Sequence, residues 1–221
     1  MTSVLLIDKG ITDYSDAWEE QKELFSRVQN NMLADQNYLM LCEHPHVYTL
    51  GKSGNENNLL VNDDFLRSVG ATYFKTDRGG DITYHGYGQL VGYPILNLNN
   101  FGLGLKDYIE LLEETVIRTI ADYGINGGRL AGATGVWIET DSPNARKICA
   151  IGVKASRFVT MHGFALNVNT DLKYFSYINP CGFIDKGVTS IQNETGKKVD
   201  MDEVKIRYVR HFAEVYKCKI K

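Results

Sequence analysis

Cys181 is the cysteine whose neighbours best suit a reactive thiol. It stands between Pro180 and Gly182, and this setting predicts a loop in which the sulfur can be approached from several directions. The other thiols lie in apolar strands or near the end of a predicted helix, namely Cys42, Cys149 and Cys218. Because a thiolate is a strong nucleophile, Cys181 is the candidate for covalent catalysis.

Lys147 is the candidate base. The run from Arg146 to Lys154 reads as a strand buried on both faces, and Lys147 then shares a side with Cys149 and other apolar residues. Loss of solvation disfavours the ammonium, so we expect a lowered pKa for Lys147. The alternative is that Lys147 lies at the strand end and extends its amine to water.

The segment from Arg78 to Gln89 contains four glycines and a histidine, just before an apolar strand. Glycines let a backbone approach a ligand closely and present N–H groups to it. The spacing fits the dinucleotide-binding pattern Gly-x-Gly-x-x-Gly poorly. A ligand-binding loop and a tight hairpin therefore both remain open interpretations.

The run from Cys42 to His46 holds a thiol, a carboxylate and two imidazoles, which are the usual zinc ligands. No second ligand pair follows at a zinc-finger spacing. We therefore expect a structural or pocket-rim role for this run, with no metal ion and no cofactor.

Three helices and several short strands must position these residues. Apolar spacing and cap residues predict helices over residues 13–32, over 105–123 ending at Gly124, and from Asp200 to the C-terminus. The predicted strands are Tyr38 to Cys42, Thr72 to Lys75, Gln89 to Leu98, Gly135 to Glu139, Lys147 to Val153, and Phe158 to Val168. Because the strands cluster between helices, the sequence predicts an α+β fold with a mixed, largely antiparallel sheet and packed helices.

Composition bounds the class of protein. The chain has 221 residues, 43% hydrophobic and 23% charged, which is ordinary for a globular protein and predicts one domain over residues 1–221. A net charge of −3 argues against nucleic acid as a partner. The sequence shows neither a signal peptide nor an apolar run of membrane-spanning length, so we expect a cytoplasmic protein with free thiols.

Taken together, the motifs resemble those of the lipoyl(octanoyl) transferase family. The resemblance is carried by Glu43-His44-Pro45, Tyr48 to Gly51, Arg78 to Pro94, Gly135-Val136-Trp137, Arg146 to Gly152, His162 to Asn167, and Asn179 to Gly182. It covers nearly the whole chain, although His46 and Tyr87 stand where the family often has proline. It implies the fold of biotin and lipoate protein ligase catalytic domains.

The resemblance also implies a site. It places a catalytic Cys/Lys dyad on Cys181 and Lys147. It implies that the acyl substrate binds to Arg78, Gly79, Gly80, Asp81, Ile82, Thr83, Tyr84, His85, Ala150, Ile151, Gly152, Gly163, Phe164 and Ala165.

The implied activity is transfer of an octanoyl group through a Cys181 thioester. The donor would be octanoyl-acyl carrier protein, and the acceptors would be lipoyl domains of 2-oxoacid dehydrogenase E2 subunits and the glycine cleavage H protein. Backbone N–H groups around Gly79-Gly80 or Gly163 are candidate donors to the oxyanion. Because the carrier is acidic, we expect a basic docking patch. The first candidate patch is Arg146, Lys154 and Arg157, and the alternative on the last predicted helix is Lys205, Arg207 and Arg210.

Two rival functions differ in chemistry. An ATP-dependent ligase of the same fold would activate a free acid and need no cysteine nucleophile. A silent acyl-binding protein would form no covalent adduct, and Cys181 would be a bystander.

Overall fold

The main sheet has nine strands in a computed structural model that describes residues 1–30, 36–179 and 186–221. The strands of the described residues are β1 (Ser3–Ile11), β2 (Tyr38–Glu43), β3 (Val47–Leu50), β4 (Thr72–Lys75), β5 (Ile82–His85), β6 (Gln89–Ile95), β7 (Gly127–Leu130), β8 (Ala133–Ile138), β9 (Arg146–Ser156), β10 (Val159–Asn167), β11 (Gly187–Val188) and β12 (Lys219–Ile220). The α-helices are α1 (Tyr14–Gln29), α2 (Asp63–Ser68), α3 (Leu105–Ala121), α4 (Ile191–Thr195) and α5 (Met201–Val215). Short 3-10 helices cover Glu56–Asn58, Leu98–Phe101 and Leu172–Tyr177.

The order of the main sheet is β12-β1-β2-β6-β10-β9-β8-β7, with β11 beside β9. Pairing is antiparallel from β2 through β6, β10, β9 and β8 to β7, and parallel where β1 meets β2 and β12. The predicted α+β class with a mixed, largely antiparallel sheet is confirmed.

A second sheet of β4, β3 and β5 lies beside the main sheet. β5 pairs with β3, whereas the next strand, β6, pairs with β2 and β10. The glycine-rich segment therefore connects two sheets, and the hairpin interpretation is wrong.

Helices cover both faces of the main sheet. α3 and α5 contribute Leu112, Val116 and Phe212 to the larger buried cluster, and α1 contributes Leu24 and Phe25 to the cluster on the other face. No helix of the described residues has the length and hydropathy that a membrane span requires.

The predicted helices have correct centres and approximate ends. α3 begins at Leu105 as predicted, and Gly124 follows it with φ +75°. α1 ends at Gln29, and the predicted end at residue 32 lies outside the described residues. α5 stops at Val215, because the last residues form β12 and pair with Ser3 and Val4.

Replacement of the cap residue Asp200 tests the start of α5. Its side chain accepts hydrogen bonds from the backbone N of Asp202 (2.8 Å) and of Glu203 (3.1 Å). We expect Asp200→Ala to lower the free energy of unfolding by about 1 kcal/mol, measured by urea denaturation. Asp13→Ala is the matched control, since Asp13 caps α1 without a side-chain hydrogen bond and should cost only a few tenths of a kcal/mol. Equal losses would contradict the capping interpretation.

Candidate active site

Lys147 lies near the start of β9, where pairing with β8 is irregular. Trp137 of β8 pairs with Lys147, whereas the preceding residue, Val136, pairs with Cys149, so Ile148 is an extra residue in β9. Such a bulge interrupts the alternation of side chains along a strand. Cys149 packs in the main core, and Lys147 lies on the opposite side with Trp137. The predicted apolar row of Lys147 with Cys149 is therefore wrong.

The amine of Lys147 lies over an aromatic ring beside a glycine. Its Nζ is 4.7 Å from the centre of the Trp137 ring. Gly135 has φ +118°, and a Cβ there would lie 3.6 Å from Lys147 Cε and only 2.4 Å from the carbonyl oxygen of Cys149. A side chain at this position would therefore collide with β9.

The edge of β9 that faces away from β8 is also paired at Lys147. Val188 of β11 pairs with Lys147, and the N–H of Thr189 donates to the Lys147 carbonyl oxygen at 2.9 Å. The backbone of Lys147 is therefore fixed between two strands while its side chain is only partly buried.

Cys181, with Pro180 and Gly182, lies in residues 180–185, outside the described residues. The chain before this segment is anchored by the N–H of Asn179, which donates to the carbonyl oxygen of Asn58 at 2.8 Å. The chain after it leads into β11 beside Lys147. Pairing of Cys181 with Lys147 stays a prediction.

The glycine-rich loop lies directly against β9. The N–H of Gly79 donates to the carbonyl oxygen of Val153 at 2.9 Å, and a Cβ on Gly152 would come within 2.8 Å of the Gly79 carbonyl oxygen. This contact requires glycine at residue 152, because a side chain there would collide with the loop. It also occupies the Gly79 N–H, which is therefore not available to an oxyanion.

Two buried charged residues shape this loop. Arg78 donates from Nε to the Thr49 hydroxyl (3.2 Å) and from Nη1 to the Gly79 carbonyl oxygen (3.0 Å). The Asp81 carboxylate accepts from the side-chain amide of Asn58 at 2.6 Å. These contacts within the protein hold the loop in place, so a ligand would meet its backbone first.

The histidine of the loop is buried and neutral. His85 donates from Nδ1 to the side chain of Gln89 at 2.9 Å and stacks on Tyr14 with ring centres 5.9 Å apart. Burial lowers the pKa of His85 to about 3 and that of the nearby His44 to about 4. Neither imidazole carries a charge at neutral pH.

His44 uses both ring nitrogens, and His46 uses Nδ1, in hydrogen bonds within the protein. His44 donates to the Thr12 carbonyl oxygen and accepts from the Tyr93 hydroxyl, both at 2.7 Å. His46 accepts from Tyr84 at 2.7 Å and stacks on Tyr174 at 4.1 Å. Aromatic packing thus fixes this segment, including the position where the family often has proline.

The neighbouring strands bring small residues together. In the β9–β10 register, Ala150 pairs with Ala165 and Gly152 pairs with Gly163. Two other predicted pocket residues lie on the core side: Ile151 packs against the core, and Phe164 stacks on Tyr208 with ring centres 4.4 Å apart. The predicted set therefore divides between the two faces of the sheet.

Three further residues of the predicted set lie on β5. Ile82, Thr83 and Tyr84 pair with Leu50, Thr49 and Tyr48 of β3. This pairing fixes the strand beyond the glycine-rich loop.

Asp77 is a neighbour of the site that sequence reasoning missed. Its carboxylate accepts from His162 Nε2 at 2.8 Å and from Lys154 Nζ at 2.6 Å. Hydrogen bonding from His162 is the main cause that holds the Asp77 pKa below its usual range. Burial lowers the His162 pKa although Asp77 opposes this. A lone aspartate before Arg78 carries no sequence pattern that could have revealed the contact.

The described thiols are poorly suited to catalysis. Burial raises the pKa of Cys42 and Cys149 well above the usual range, and raises that of Cys218 to about 11. Because the thiolate is the reactive form, these cysteines should be inert in the folded protein.

The predicted docking cations are largely balanced within the protein. Arg146 contacts carboxylate oxygens of Glu194 at 2.7 Å and of Glu139 at 2.8 Å, and Lys154 contacts Asp77. A carrier-docking role for Arg146, Lys154 and Arg157 stays a prediction.

Known proteins resemble the chain in sequence over most of its length. A family model described as the lipoyl protein ligase A/B catalytic domain matches residues 13–213. An octanoyltransferase of Bacteroides thetaiotaomicron is 62% identical over 206 residues, covering 92% of this chain and 91% of the relative. An octanoyltransferase of Flavobacterium johnsoniae is 53% identical, covering 98% of each chain.

Solved structures share the fold at low sequence identity. A structure described as a putative lipoate protein ligase of T. acidophilum has a TM-score of 0.74 at 16% identity, covering 100% of this chain and 88% of that one. Biotin protein ligase of Aquifex aeolicus, with biotin and ATP, has a TM-score of 0.56 at 14% identity, covering 98% and 71%. The fold is that of the lipoate and biotin protein ligase catalytic domains.

Sequence identity then identifies the family within this fold class. The chain belongs to the lipoyl(octanoyl) transferase family, inside the lipoyl protein ligase A/B catalytic domain group. It is an acyltransferase, and the resemblance drawn from its motifs is confirmed.

The buried neutral His85 predicts an acid-sensitive stability. Its folded-state pKa of about 3 lies below the unfolded value of about 6.5, so only the unfolded chain gains this proton as the pH falls below that value. Between pH 7.5 and 5.0 the wild type should therefore lose about 2 kcal/mol more unfolding free energy than His85→Gln. Urea denaturation at both pH values measures this, and pH 8.5 against 7.5 is the control interval, where the difference should stay constant. Parallel loss in both proteins would mean that His85 titrates normally.

Proposed function

We propose that this chain transfers an octanoyl group from octanoyl-acyl carrier protein to a specific lysine of lipoyl domains in protein lipoylation. The octanoyltransferase relatives support the acyl group. The observation that carries the chemistry is the Lys147 amine over Trp137, on a strand paired with β11, which follows the Cys181 segment. The acceptors would be lipoyl domains of 2-oxoacid dehydrogenase E2 subunits and the glycine cleavage H protein. Residues 1–221 would form a single catalytic domain.

The first half-reaction exchanges one thioester for another. Neutral Lys147 takes the proton of Cys181, and the Cys181 thiolate attacks the acyl carbonyl carbon. The carbon–sulfur bond to the carrier then breaks, and the carrier thiolate receives the proton from the Lys147 ammonium. Cys181 now carries the acyl group, and Lys147 is neutral again.

The second half-reaction forms an amide. The amine of the acceptor lysine attacks the Cys181 thioester, and neutral Lys147 accepts the proton that this amine must lose. Cys181 leaves as a thiolate and recovers its proton from Lys147. Because an amide is more stable than a thioester, transfer is effectively one-way.

Trp137 stabilises the charged form of Lys147, which forms in both half-reactions. An ammonium over the face of an indole ring is stabilised by about 0.5–2 kcal/mol. The ring thus supports the ammonium that forms each time Lys147 accepts a proton.

The acyl chain would lie between the glycine-rich loop and the β9–β10 pair. Ala150 and Ala165 supply small side chains there, whereas the Gly79 and Gly92 carbonyl oxygens fill the space beside Gly152 and Gly163. The backbone from Arg78 to His85 would form the facing wall, while Ile151 and Phe164 would support the site from the core side. Gly80 and Gly163 remain candidate donors to the oxyanion.

The ligase alternative is separated by its substrates. A structure with a TM-score of 0.74 at 16% identity is described as lipoate-protein ligase A bound with ATP, a likeness that concerns the fold alone. Turnover with ATP and free octanoate, but not with octanoyl-acyl carrier protein, would favour a ligase. Failure to form any acyl adduct would favour a silent acyl-binding protein.

An acyl adduct on Cys181 is the direct test of covalent transfer. Intact-mass spectrometry after mixing with octanoyl-acyl carrier protein should show one hydroxylamine-sensitive octanoyl group, which peptide mapping places on Cys181. Cys181→Ala should lose both the adduct and transfer, whereas Cys218→Ala, the matched control at a buried thiol, should keep both. Normal modification of a lipoyl domain by Cys181→Ala would refute the covalent mechanism.

Substitutions of Lys147 separate its charge from its basicity. Lys147→Arg keeps a positive charge but cannot accept a proton at neutral pH, so alkylation of Cys181 by iodoacetamide should stay appreciable. Lys147→Met should slow alkylation and move its pH midpoint upward, toward the ~8.5 of a free thiol. Both variants should lose transfer by about 10²–10⁴-fold, as for a positioned general base. Wild-type rates in Lys147→Met would transfer the role to another group, with His85 or His162 next to be tested.

A further inference from the structure

We propose that Glu113 of α3 is a positioning residue for Lys147. This inference rests on the proposed function of Lys147 as the base. Glu113 would act on Lys147 through the backbone of Gly135.

Glu113 connects α3 to Gly135 of β8 and to Arg129 of β7. Its side chain is buried, with Oε1 accepting from the backbone N of Gly135 at 2.9 Å and Oε2 accepting from Nε of Arg129 at 3.0 Å. Each carboxylate oxygen thus satisfies one donor. A buried donor left unpaired is costly, so this carboxylate fixes Gly135 relative to the helix.

Gly135 in turn forms part of the surface against which Lys147 lies. It adopts a backbone conformation with φ +118°, which L side chains rarely adopt, and a Cβ there would lie 3.6 Å from Lys147 Cε. It stands on β8 two residues before Trp137, whose ring lies under the Lys147 amine. If the Gly135 N–H lost its acceptor, the backbone would shift to find another one. The stem and amine of Lys147 would then move from their present position beside Gly135 and over Trp137.

The alternative is that Glu113 is only an ion-pair partner of Arg129. Glu114 offers a matched control, because its Oε2 accepts from the same Arg129 at 3.1 Å and its Oε1 accepts from Arg118 at 2.9 Å. Glu114→Gln weakens the same ion-pair group and leaves the Glu113–Gly135 contact in place. A positioning role for Glu113 predicts that the two substitutions have different effects.

Trp137 provides a readout that does not depend on acyl transfer. The chain has two tryptophans, so a Trp18→Phe background leaves Trp137 as the only one. Because a nearby ammonium acts on the indole ring, Trp137 emission should change as Lys147 gains or loses its proton. Lys147→Met should abolish this change. Absence of the change in the Trp18→Phe protein would mean that the Lys147–Trp137 contact is absent, which overturns the proposal.

The experiment compares substitutions at Glu113 in this background. Glu113→Leu should remove the pH-dependent change in Trp137 emission and lower transfer by up to about 10²-fold, the loss typical of a displaced catalytic group. Glu114→Gln should preserve both. Thermal unfolding and circular dichroism show whether each variant is folded. A folded Glu113→Leu with wild-type emission change and rate, or an equal loss in Glu114→Gln, would overturn the proposal.

A conservative pair of variants keeps the test valid if Glu113→Leu does not fold. Glu113→Gln has a single acceptor oxygen for two donors, so Gly135 and Arg129 compete for it. Adding Arg129→Met leaves this oxygen to Gly135, and both readouts should recover relative to Glu113→Gln alone. No recovery would show that the Gly135 contact does not position Lys147.

The two readouts also separate this inference from the proposed function. If Cys181→Ala transfers normally while Trp137 emission still depends on Glu113, the covalent mechanism fails and the positioning of Lys147 stands. If Cys181→Ala is inactive while the Glu113 substitutions leave emission unchanged, the positioning fails and the mechanism stands.

Discussion

The extra residue in β9 determines which side of the main sheet carries the chemistry. If β9 paired regularly with no bulge at Ile148, alternation would place Lys147 with Cys149 in the core, where a charged amine would be costly. The bulge moves the lysine to the opposite side, over the Trp137 ring. The glycine at residue 135 and the strand β11 on the other edge both contact β9 at or beside this irregularity.

Close backbone approaches complete the site. Gly79 and Gly152 allow the loop before β5 to bond directly to β9, and this joins the small sheet to the main one. Buried side chains then hold the loop from behind: Arg78 bonds to Thr49, and Asp81 bonds to Asn58. The backbone of this loop forms a wall beside the proposed acyl chain.

Much of this arrangement could be predicted from sequence because it depends on local patterns. Helical apolar spacing placed α3 and its Gly124 cap, and β-branched runs placed the centres of β2, β6 and β9. The bulge could not be predicted, since it is a relation between β9 and its partner and not a property of β9 alone. β12 was missed because two residues carry too little pattern, and Asp77 because its partners, His162 and Lys154, are distant in sequence.

Site residues were predicted with uneven success for the same reason. The motifs indicated which segments meet, and the register of β9 with β10 brings Ala150 and Gly152 beside Ala165 and Gly163. The motifs did not indicate which side chains of those segments face the core, because the bulge changes the alternation. Cys181 keeps its assignment from the Pro-Cys-Gly motif alone, since it lies outside the described residues.

The buried thiols can report how readily each region of the fold opens. Cys42 on β2 and Cys149 on β9 lie on inner strands of the main sheet, Cys218 lies beside the edge strand β12, and all three are buried. A thiol reagent can reach each of them only when the surrounding structure opens, so each labelling rate reports the opening equilibrium of its own region. Opening at the sheet edge should precede opening at the centre, because fewer strands must separate there. The order in which the three cysteines become labelled therefore maps the local stability of the sheet from edge to core.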